Sequence, residues 1–394
     1  MTGHQALSHH PAARISHLRH GTHGMVRFVL DRYLLLPLGA VIAIVWANTA
    51  AESYFRLAHA LAFPVNRIGM ALLLGLLVHE VAEALMPGGS LHTWRRWGVA
   101  LAAAGGGLAG STLTYLAFVT VKHEQVLTQA WPIAGAIDLI AGYYVVKALL
   151  PRSSAVPFLL LVAVLTDAAG LLLLATWPSL TPAHVGGAGL VIAALVVAAA
   201  MRRSGVRTIW AYLGCAGVLS WIGFSLAGVH SALALLPIVP FLPRHPKRVD
   251  MFAAPTDDEA HHAEYEWNEI VQLVAFLFGL VNAGAEVRHY DTGTWAVLVG
   301  SLVGRPAGMF AAVALALAAG LRLPARLGWR ELLVVACAMS SGFTVGLFFA
   351  TAFLPIGGVL AQIKIGVLTS AIGAFAAVGA ARATRVGRFA RSSA

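Results

Sequence analysis

This chain of 394 residues contains little charge and few cysteines. Only 11% of its residues are Asp, Glu, Lys or Arg, whereas soluble globular proteins carry about 25%. So little charge, together with 59% hydrophobic residues, argues against a water-soluble fold and indicates a membrane protein. Cys215 and Cys337 both lie in apolar runs, which argues against a disulfide framework and against a zinc site.

The sequence also lacks an apolar leader and a concentrated basic face. Residues 1–28 contain no apolar run, so we expect a disordered, basic cytoplasmic tail rather than a cleaved signal peptide. The net charge is +10, but the basic residues are scattered between apolar runs, which argues against nucleic-acid binding. The acidic run at 257–259 with His261 and His262 could bind a metal, but we interpret it as a solvated loop.

Long apolar runs fill the rest of the chain, and a helix needs about 20 such residues to cross a bilayer. We predict that residues 29–382 form one membrane domain, followed by a basic cytoplasmic tail at 383–394. The runs near 131–150 and 226–243 contain Pro or Gly interruptions. The twelve predicted spans are 30–50, 64–86, 97–119, 131–150, 155–176, 186–201, 207–223, 226–243, 267–286, 293–319, 331–353 and 358–382.

Basic residues alternate between the two sides of these spans. The odd-numbered connections hold only Arg56, Arg67, Lys122 and Arg288. Cytoplasmic loops collect Lys and Arg, so the pattern predicts that both termini are cytoplasmic. The even-numbered connections hold Arg95, Arg96, Arg152, Arg202, Arg203, Arg207, Arg244, Lys247, Arg248, Arg322, Arg326 and Arg330.

Several ionisable residues lie inside the apolar spans, where they are costly and indicate a functional pathway. They are Glu80, Glu83, Asp138, Lys147, Asp167, Arg305 and Lys364, with His230 as a weaker member. Lys147 and Glu83 lie near span ends and can reach the headgroups. Asp138, Asp167 and Arg305 lie deeper. A structural ion pair is one interpretation, but two carboxylates and a guanidinium on three spans favour a functional site.

Proline and glycine surround one of the deep carboxylates and recur in a later span. They occur in "WPIAGAIDLIAGYY", which contains Asp138, and in "MSSGFTVGLFF". Such residues at matching places in two halves predict discontinuous helices around a midplane site, whose freed backbone groups can hold an ion. Small residues can also simply permit close helix packing. The predicted broken-helix residues are Pro132, Gly135, Gly142, Gly342, Thr344 and Gly346.

These motifs resemble the NhaA family of sodium/proton antiporters, in order, from about Leu34 to Arg382. The similar segments are "HEVAEALM", "GGGLAGSTLTYLAF", "WPIAGAIDLIAG", "LVAVLTDAAG", "GVHSALALLPIVPFLPR", "VNAGA", "VGRPAG", "SSGFTVGLFF" and "IKIGVLTS". The resemblance implies an all-α polytopic membrane protein of about twelve transmembrane helices, with inverted repeats and broken fourth and eleventh helices. It further implies a core at roughly 97–176 and 293–382, interface helices in the remainder, a homodimer, and the bacterial inner membrane.

The resemblance also implies roles for individual residues. Asp167 matches the family's principal ion- and proton-binding carboxylate, and Asp138 matches the aspartate of the broken fourth helix. Together they would bind the transported Na⁺, the only metal expected. Glu80 matches an acidic residue of the cytoplasmic funnel that is tied to the pH response, and we assign Glu83 to the same group. His230 matches a family histidine. We assign charge balance to Arg305 and Lys364.

Four residues depart from the family pattern. Thr166 replaces the first aspartate of an Asp-Asp pair, and Ile137 replaces a threonine. Arg305 replaces a lysine, and Ala84 replaces the second glutamate of the funnel motif. Arg305 must therefore pair with Asp167, with Asp138 or with helix carbonyls. The segment between the first two spans is also short, so we expect the family's dimerising β-hairpin to be missing or trimmed.

Two functions remain open. In the first, burial disfavours the charged form of Asp167, so that Na⁺ or Li⁺ competes with H⁺ for this carboxylate. Thr166, which we also assign to the ion site, cannot titrate, so the exchange would be electroneutral. In the second, the protein has lost Na⁺ coupling and transports another ion or acts as a non-transporting sensor or partner. Ser340, Ser341 and His230 form no nucleophile motif, and no cofactor loop is visible, so we expect neither an enzyme nor a cofactor.

Overall fold

The computed structural model describes residues 35–84, 97–151, 153–176, 184–243, 262–324 and 326–390, and the regular elements within these ranges are all helical. The predicted tails at 1–28 and the final residues 391–394 lie outside them, as does the acidic loop at 257–259. The α-helices are α1 (Leu35–Thr49), α2 (Ala51–Phe63), α3 (Met70–Ala84), α4 (Trp97–Val121), α5 (Trp131–Ala134), α6 (Leu139–Leu149), α7 (Ala155–Thr176), α8 (Val185–Arg203), α9 (Ile209–Tyr212), α10 (Val218–Leu226), α11 (His262–Asn282), α12 (Thr292–Val299), α13 (Arg305–Ala318), α14 (Trp329–Ala338), α15 (Phe343–Phe353), α16 (Gly358–Thr369) and α17 (Ile372–Thr384).

Three of the joins between these helices are π-helical turns, so the axis continues across them. Pro64–Gly69 links α2 to α3, Leu213–Gly217 links α9 to α10, and Gly300–Gly304 links α12 to α13. Within the described residues, seven helices are long and apolar enough to cross a membrane. An eighth results if α14 and α15, which are bent by 46° at their break, form one span. The prediction of an all-α polytopic membrane protein is therefore confirmed.

The predicted span at 226–243 is wrong as a helix. After α10 ends, Gly228 takes a φ of +74°, and the chain continues through two short 3₁₀ turns, Ser231–Leu233 and Val239–Phe241. Pro237 and Pro240 lack the amide hydrogen that a continuous helix requires. Apolar composition alone could not distinguish this irregular buried segment from a transmembrane helix.

Residues 51–63, which the sequence predicts to be a connection between two spans, form helix α2. The buried Tyr54 ties this helix to the end of α11. Its hydroxyl donates towards the carbonyl oxygens of Leu280 and Val281, at 3.0 and 3.1 Å, and accepts the amide hydrogen of Gly284 at 3.0 Å. One side chain thus satisfies backbone groups that become free where α11 ends.

The helices pack in two sets. The first set contains α4, α6 and α7 together with α12–α14, α16 and α17, and its closest pair is α4 with α13. A Cβ atom on Gly110 of α4 would lie 2.7 Å from the Cα atom of Gly308, so glycine is needed for this approach. The second set packs α1 and α3 against α11, and α8 against α10. The two broken helices, α5–α6 and α14–α15, contribute α6 and α14 to the first set.

Candidate ion-binding site

Both predicted helix breaks are present, and they meet. The backbone leaves helical geometry at 135–138, between α5 and α6, and again at 339–342, between α14 and α15. The Asp138 amide hydrogen bonds to the carbonyl oxygen of Ser341 at 2.7 Å, which joins the two breaks directly. A Cβ atom on Gly342 would lie 2.7 Å from the carbonyl oxygen of Ala136, so this crossing requires glycine. The prediction of two crossing discontinuous helices is confirmed.

The side chain of Asp138 is buried at this crossing, and both of its oxygens are engaged. Oδ1 accepts the amide hydrogen of Ala141 at 3.0 Å, which caps the N-terminus of α6. Oδ2 accepts the hydroxyl hydrogen of Thr344 at 3.1 Å. A carboxylate at a helix N-terminus is further stabilised by the helix dipole. Asp138 therefore has a structural task at the crossing, whatever part it takes in ion binding.

Arg305 is 1% exposed and follows the π-helical turn at the start of α13. Its Nη2 donates to the carbonyl oxygens of Ala134 and Ala136, at 3.1 and 2.8 Å. These carbonyls belong to the end of α5 and the break that follows it. Of the three kinds of partner expected from the sequence, the helix carbonyls are therefore the ones that form hydrogen bonds with Arg305. The guanidinium compensates the negative end of the broken helix.

Asp167 is 8% exposed in the middle of α7. It interacts electrostatically with Asp138 and Arg305. Its Oδ2 is buried and accepts no hydrogen bond from any residue that the structure describes. An unsatisfied buried acceptor is costly. A carboxylate oxygen can be satisfied by a proton or by a hard cation, which prefers oxygen ligands. Asp167 is therefore the one deep carboxylate with an oxygen available for exchange in the described part of the chain.

Thr166, the residue before Asp167, turns its hydroxyl back onto its own helix. Its Oγ1 donates to the carbonyl oxygen of Val162 at 2.9 Å. Ile137 is buried among apolar residues of the first helix set. Neither of the two substituted positions therefore provides a titratable group near the crossing.

The remaining predicted residues are distributed more widely. The amide of Gly142 donates to the Asp138 carbonyl at 3.1 Å, and that of Gly346 donates to the Gly342 carbonyl at 2.7 Å. Pro132 lies in the first turn of α5 and Gly135 follows its end. Glu80 and Glu83 lie in α3, but their side chains are outside the described part of the structure.

Two basic residues lie outside the crossing contacts. Lys147 donates to the Tyr143 hydroxyl at 3.1 Å. Lys364 lines a separate cavity, and its assignment to charge balance remains a prediction. The sequence interpretation missed Ser370, whose hydroxyl oxygen accepts the amide hydrogen of Gly342 at 3.1 Å. Ser370 ends the motif "IKIGVLTS", but nothing in its spacing indicates that contact.

Comparisons with known proteins agree on one family. The sequence model of the family described as Na⁺/H⁺ antiporter 1 matches residues 32–381. The chain is 35% identical over 364 residues to the Na(+)/H(+) antiporter NhaA of Desulfitobacterium hafniense, a match that covers 89% of this chain and 93% of that protein. It is 34% identical over 373 residues to the Na(+)/H(+) antiporter NhaA 1 of Pelobacter propionicus, covering 91% and 97%.

A solved structure shares the fold. The sodium proton antiporter MjNhaP1 from Methanocaldococcus jannaschii superimposes with a TM-score of 0.54 at 15% sequence identity, covering 89% of this chain and 90% of that one. At so low an identity the likeness concerns the arrangement of helices and not the residues of the site. This structural comparison also confirms the prediction of a membrane-protein fold.

Proposed function

This chain belongs to the Na⁺/H⁺ antiporter 1 family, and we propose that it exchanges Na⁺ for H⁺ across a bacterial membrane at Asp167. The observation that carries the proposal is the buried Oδ2 of Asp167, which has no hydrogen-bond partner among the described residues. A proton or a cation can satisfy this oxygen, but both cannot do so at once. If the loaded site alone changes its exposure between the two sides, competition for one carboxylate becomes exchange.

The surrounding charges favour an electroneutral cycle. Asp138 is held by α6 and Thr344, and Arg305 is held by the carbonyls of α5. A guanidinium does not release its proton under these conditions, so Asp167 is the group left to titrate. The site with Asp167 ionised and Na⁺ bound has the same net charge as the site with Asp167 protonated. One H⁺ would therefore move for each Na⁺ or Li⁺, with Asp138 and Thr166 as further candidates for the cation's oxygen shell.

The arrangement of the whole protein follows from the same proposal. We assign residues 97–176 and 293–382 to a moving core and the remaining helices to an interface at which two copies pair within the lipid bilayer. The packing of the helices in two sets supports this division. The distribution of arginine along the connections supports cytoplasmic termini, and the family's location supports the bacterial inner membrane. Glu80 and Glu83 remain candidates for a pH response.

Loss of Na⁺ coupling is the less favoured alternative. The curated relatives are named Na(+)/H(+) antiporters, and the matches cover 93% and 97% of their length. The chain keeps both deep aspartates and a basic residue at position 305. A transporter assignment also leaves no reason to expect catalysis of a covalent reaction, because the exchanged ions need only oxygen ligands and a change of access.

Proteoliposomes that contain the purified chain and a trapped pH indicator test the proposal. Adding Na⁺ or Li⁺ outside is expected to release protons into the medium at an unchanged rate when the membrane potential is clamped at different values. Asp167→Asn should abolish this flux. Asp291→Asn is the matched control, because Asp291 is an exposed aspartate at the start of α12 and should leave the flux intact.

The possible outcomes test antiport, its electroneutrality and the role of Asp167 separately. Absence of cation-dependent proton flux across the neutral pH range would contradict the proposal that the chain is an antiporter. Flux that responds to the membrane potential would contradict the electroneutral cycle and leave antiport standing. Undiminished flux in Asp167→Asn would show that the exchanging carboxylate lies elsewhere.

A further inference from the structure

A second cavity, of about 660 Å³, lies apart from the helix crossing. It is bounded by α2, by the end of α11 and by the connection from α15 to α16. None of Asp138, Asp167 or Arg305 lines it. Most of its wall is apolar, with Phe55, Ala58 and Leu354 among the lining residues. The exchange proposed at Asp167 uses none of the residues that line this space.

One cation lines this cavity without a counter-charge. Lys364 is half-buried, and no residue that the structure describes forms a hydrogen bond or an ion pair with it. The acidic residue among the described lining residues is Glu286, which pairs with Arg288 and lies 4.0 Å from His289 Nδ1. An ammonium in a largely apolar wall needs a partner, so the cavity favours an anionic ligand.

The start of α16 contributes to the same wall. Gly357, Ala361 and Lys364 have the i, i+4, i+7 spacing that places residues along one face of a helix, and all three line the cavity. No side chain caps the N-terminus of α16, and the Cβ positions of Gly357 and Gly358 have no neighbouring atom within 4 Å. Free amide hydrogens at a helix N-terminus attract phosphate and carboxylate groups.

The cavity lies at an end of the bundle that has the features of a membrane interface. Tyr290 and Trp295 follow the cavity-lining Glu286 and His289 in the chain, are 41% and 50% exposed, and pack edge to face at 5.5 Å. Exposed Tyr and Trp side chains characteristically lie at the level of lipid headgroups. Ile356, on the cavity wall, is 89% exposed, which suits contact with acyl chains.

We propose that this cavity binds an anionic phospholipid, whose phosphate lies between the Lys364 ammonium and the N-terminus of α16. His59, which is exposed on α2 and also lines the cavity, would face the same headgroup. An acyl chain would lie along the apolar wall formed by α2 and the end of α15. Because α2 packs against α1 and α11 of the second set and α16 belongs to the first set, the lipid would bridge the two helix sets.

Native mass spectrometry of the full chain in detergent tests this site with phosphatidylglycerol and, separately, with zwitterionic phosphatidylcholine. The wild-type chain should bind phosphatidylglycerol more tightly. Lys364→Gln should weaken that binding about tenfold, the effect expected when a charged hydrogen bond is lost, and Lys364→Arg should largely preserve it. Arg330→Gln removes an exposed cation at the start of α14 and is the matched control, with no change expected.

A second variant keeps the test valid if Lys364→Gln does not fold. Ala361→Phe would fill the cavity while leaving the ammonium in place, and it should weaken phosphatidylglycerol binding as well. Undiminished binding in either folded variant would overturn the proposal. Inorganic phosphate alone should not raise the melting temperature; if it stabilised the chain as much as the lipid does, the occupant would be the free anion and the lipid assignment would be wrong.

Discussion

The Thr344 hydroxyl donates a 3.1 Å hydrogen bond to Oδ2 of Asp138, across 206 positions of the sequence. The contact joins the first turn of α15 to the N-terminus of α6, so each broken helix is held by a polar group of the other. Ile137, where the family resemblance leads one to expect a hydroxyl, contributes none. The hydroxyl next to the Asp138 carboxylate is instead provided by the opposite helix.

Removing that hydroxyl should weaken the crossing. We expect Thr344→Val to lower the free energy of unfolding by about 1–2 kcal/mol, because Oδ2 of a buried carboxylate loses its donor, and to raise the Na⁺ concentration for half-maximal exchange. Thr351→Val is the control, since the hydrogen bonds of the Thr351 hydroxyl to residues that the structure describes go to carbonyls of its own helix, those of Leu347 and Phe348. Equal effects of the two variants on exchange would contradict a specific role for Thr344.

We expect Arg305 to contribute mainly to the stability of the fold. Arg305→Gln removes the charge that satisfies the carbonyls of Ala134 and Ala136, and an unsatisfied buried acceptor costs about 1–3 kcal/mol. A clear fall in melting temperature is therefore expected. Arg305→Lys should recover part of the stability and introduce a group that can lose its proton when buried. Exchange by this variant should then depend on the membrane potential, which flux measurements under a voltage clamp would reveal.

The close approach at Gly342 predicts a sharp difference between two glycine substitutions. Gly342→Ala would place a Cβ atom 2.7 Å from the Ala136 carbonyl oxygen, and the resulting overpacking should cost about 1–3 kcal/mol and reduce exchange. Gly379→Ala lies in α17 with no atom within 4 Å of the added carbon, so it should leave stability unchanged or raise it by up to about 1 kcal/mol. Thermal unfolding in detergent measures both. A stable, active Gly342→Ala protein would mean that the helices can cross farther apart.

The helix breaks could be located from sequence because the signal is local. Pro132 and Gly135 before Asp138, and Gly342 before Thr344, interrupt otherwise apolar runs, and the chain leaves helical geometry at those places. The partner of Arg305 could not be chosen in the same way. Two carboxylates and several carbonyls were all compatible with a buried guanidinium, and only the packing of α13 against the first break decides among them.

Apolar composition gave a wrong prediction where irregular backbone is buried inside the protein. The segment at 226–243 is as apolar as a span, but Gly228, Pro237 and Pro240 break it into turns, which pack against α3 and α10. Lys364 shows a related limit, because a cation in an apolar run gives no indication of which cavity its helix faces. The pattern of charges thus identified the residues that need a partner, and the fold determined which partner each one receives.

The double change Thr166→Asp with Ile137→Thr should alter the number of protons exchanged. Thr166 is 5% exposed and precedes Asp167 on α7, where its hydroxyl now bonds to Val162. A second carboxylate there would share the buried site with Asp167, and burial disfavours the charged form of both groups, so that both carboxyl groups would hold protons until a cation binds. Each Na⁺ would then displace more than one H⁺, and the exchange should generate a current across proteoliposomes. Thr166→Asn with Ile137→Thr has nearly the same shape but cannot titrate, and it should stay electroneutral. A current in the Asn variant, or none in the Asp variant, would show that position 166 does not set the stoichiometry.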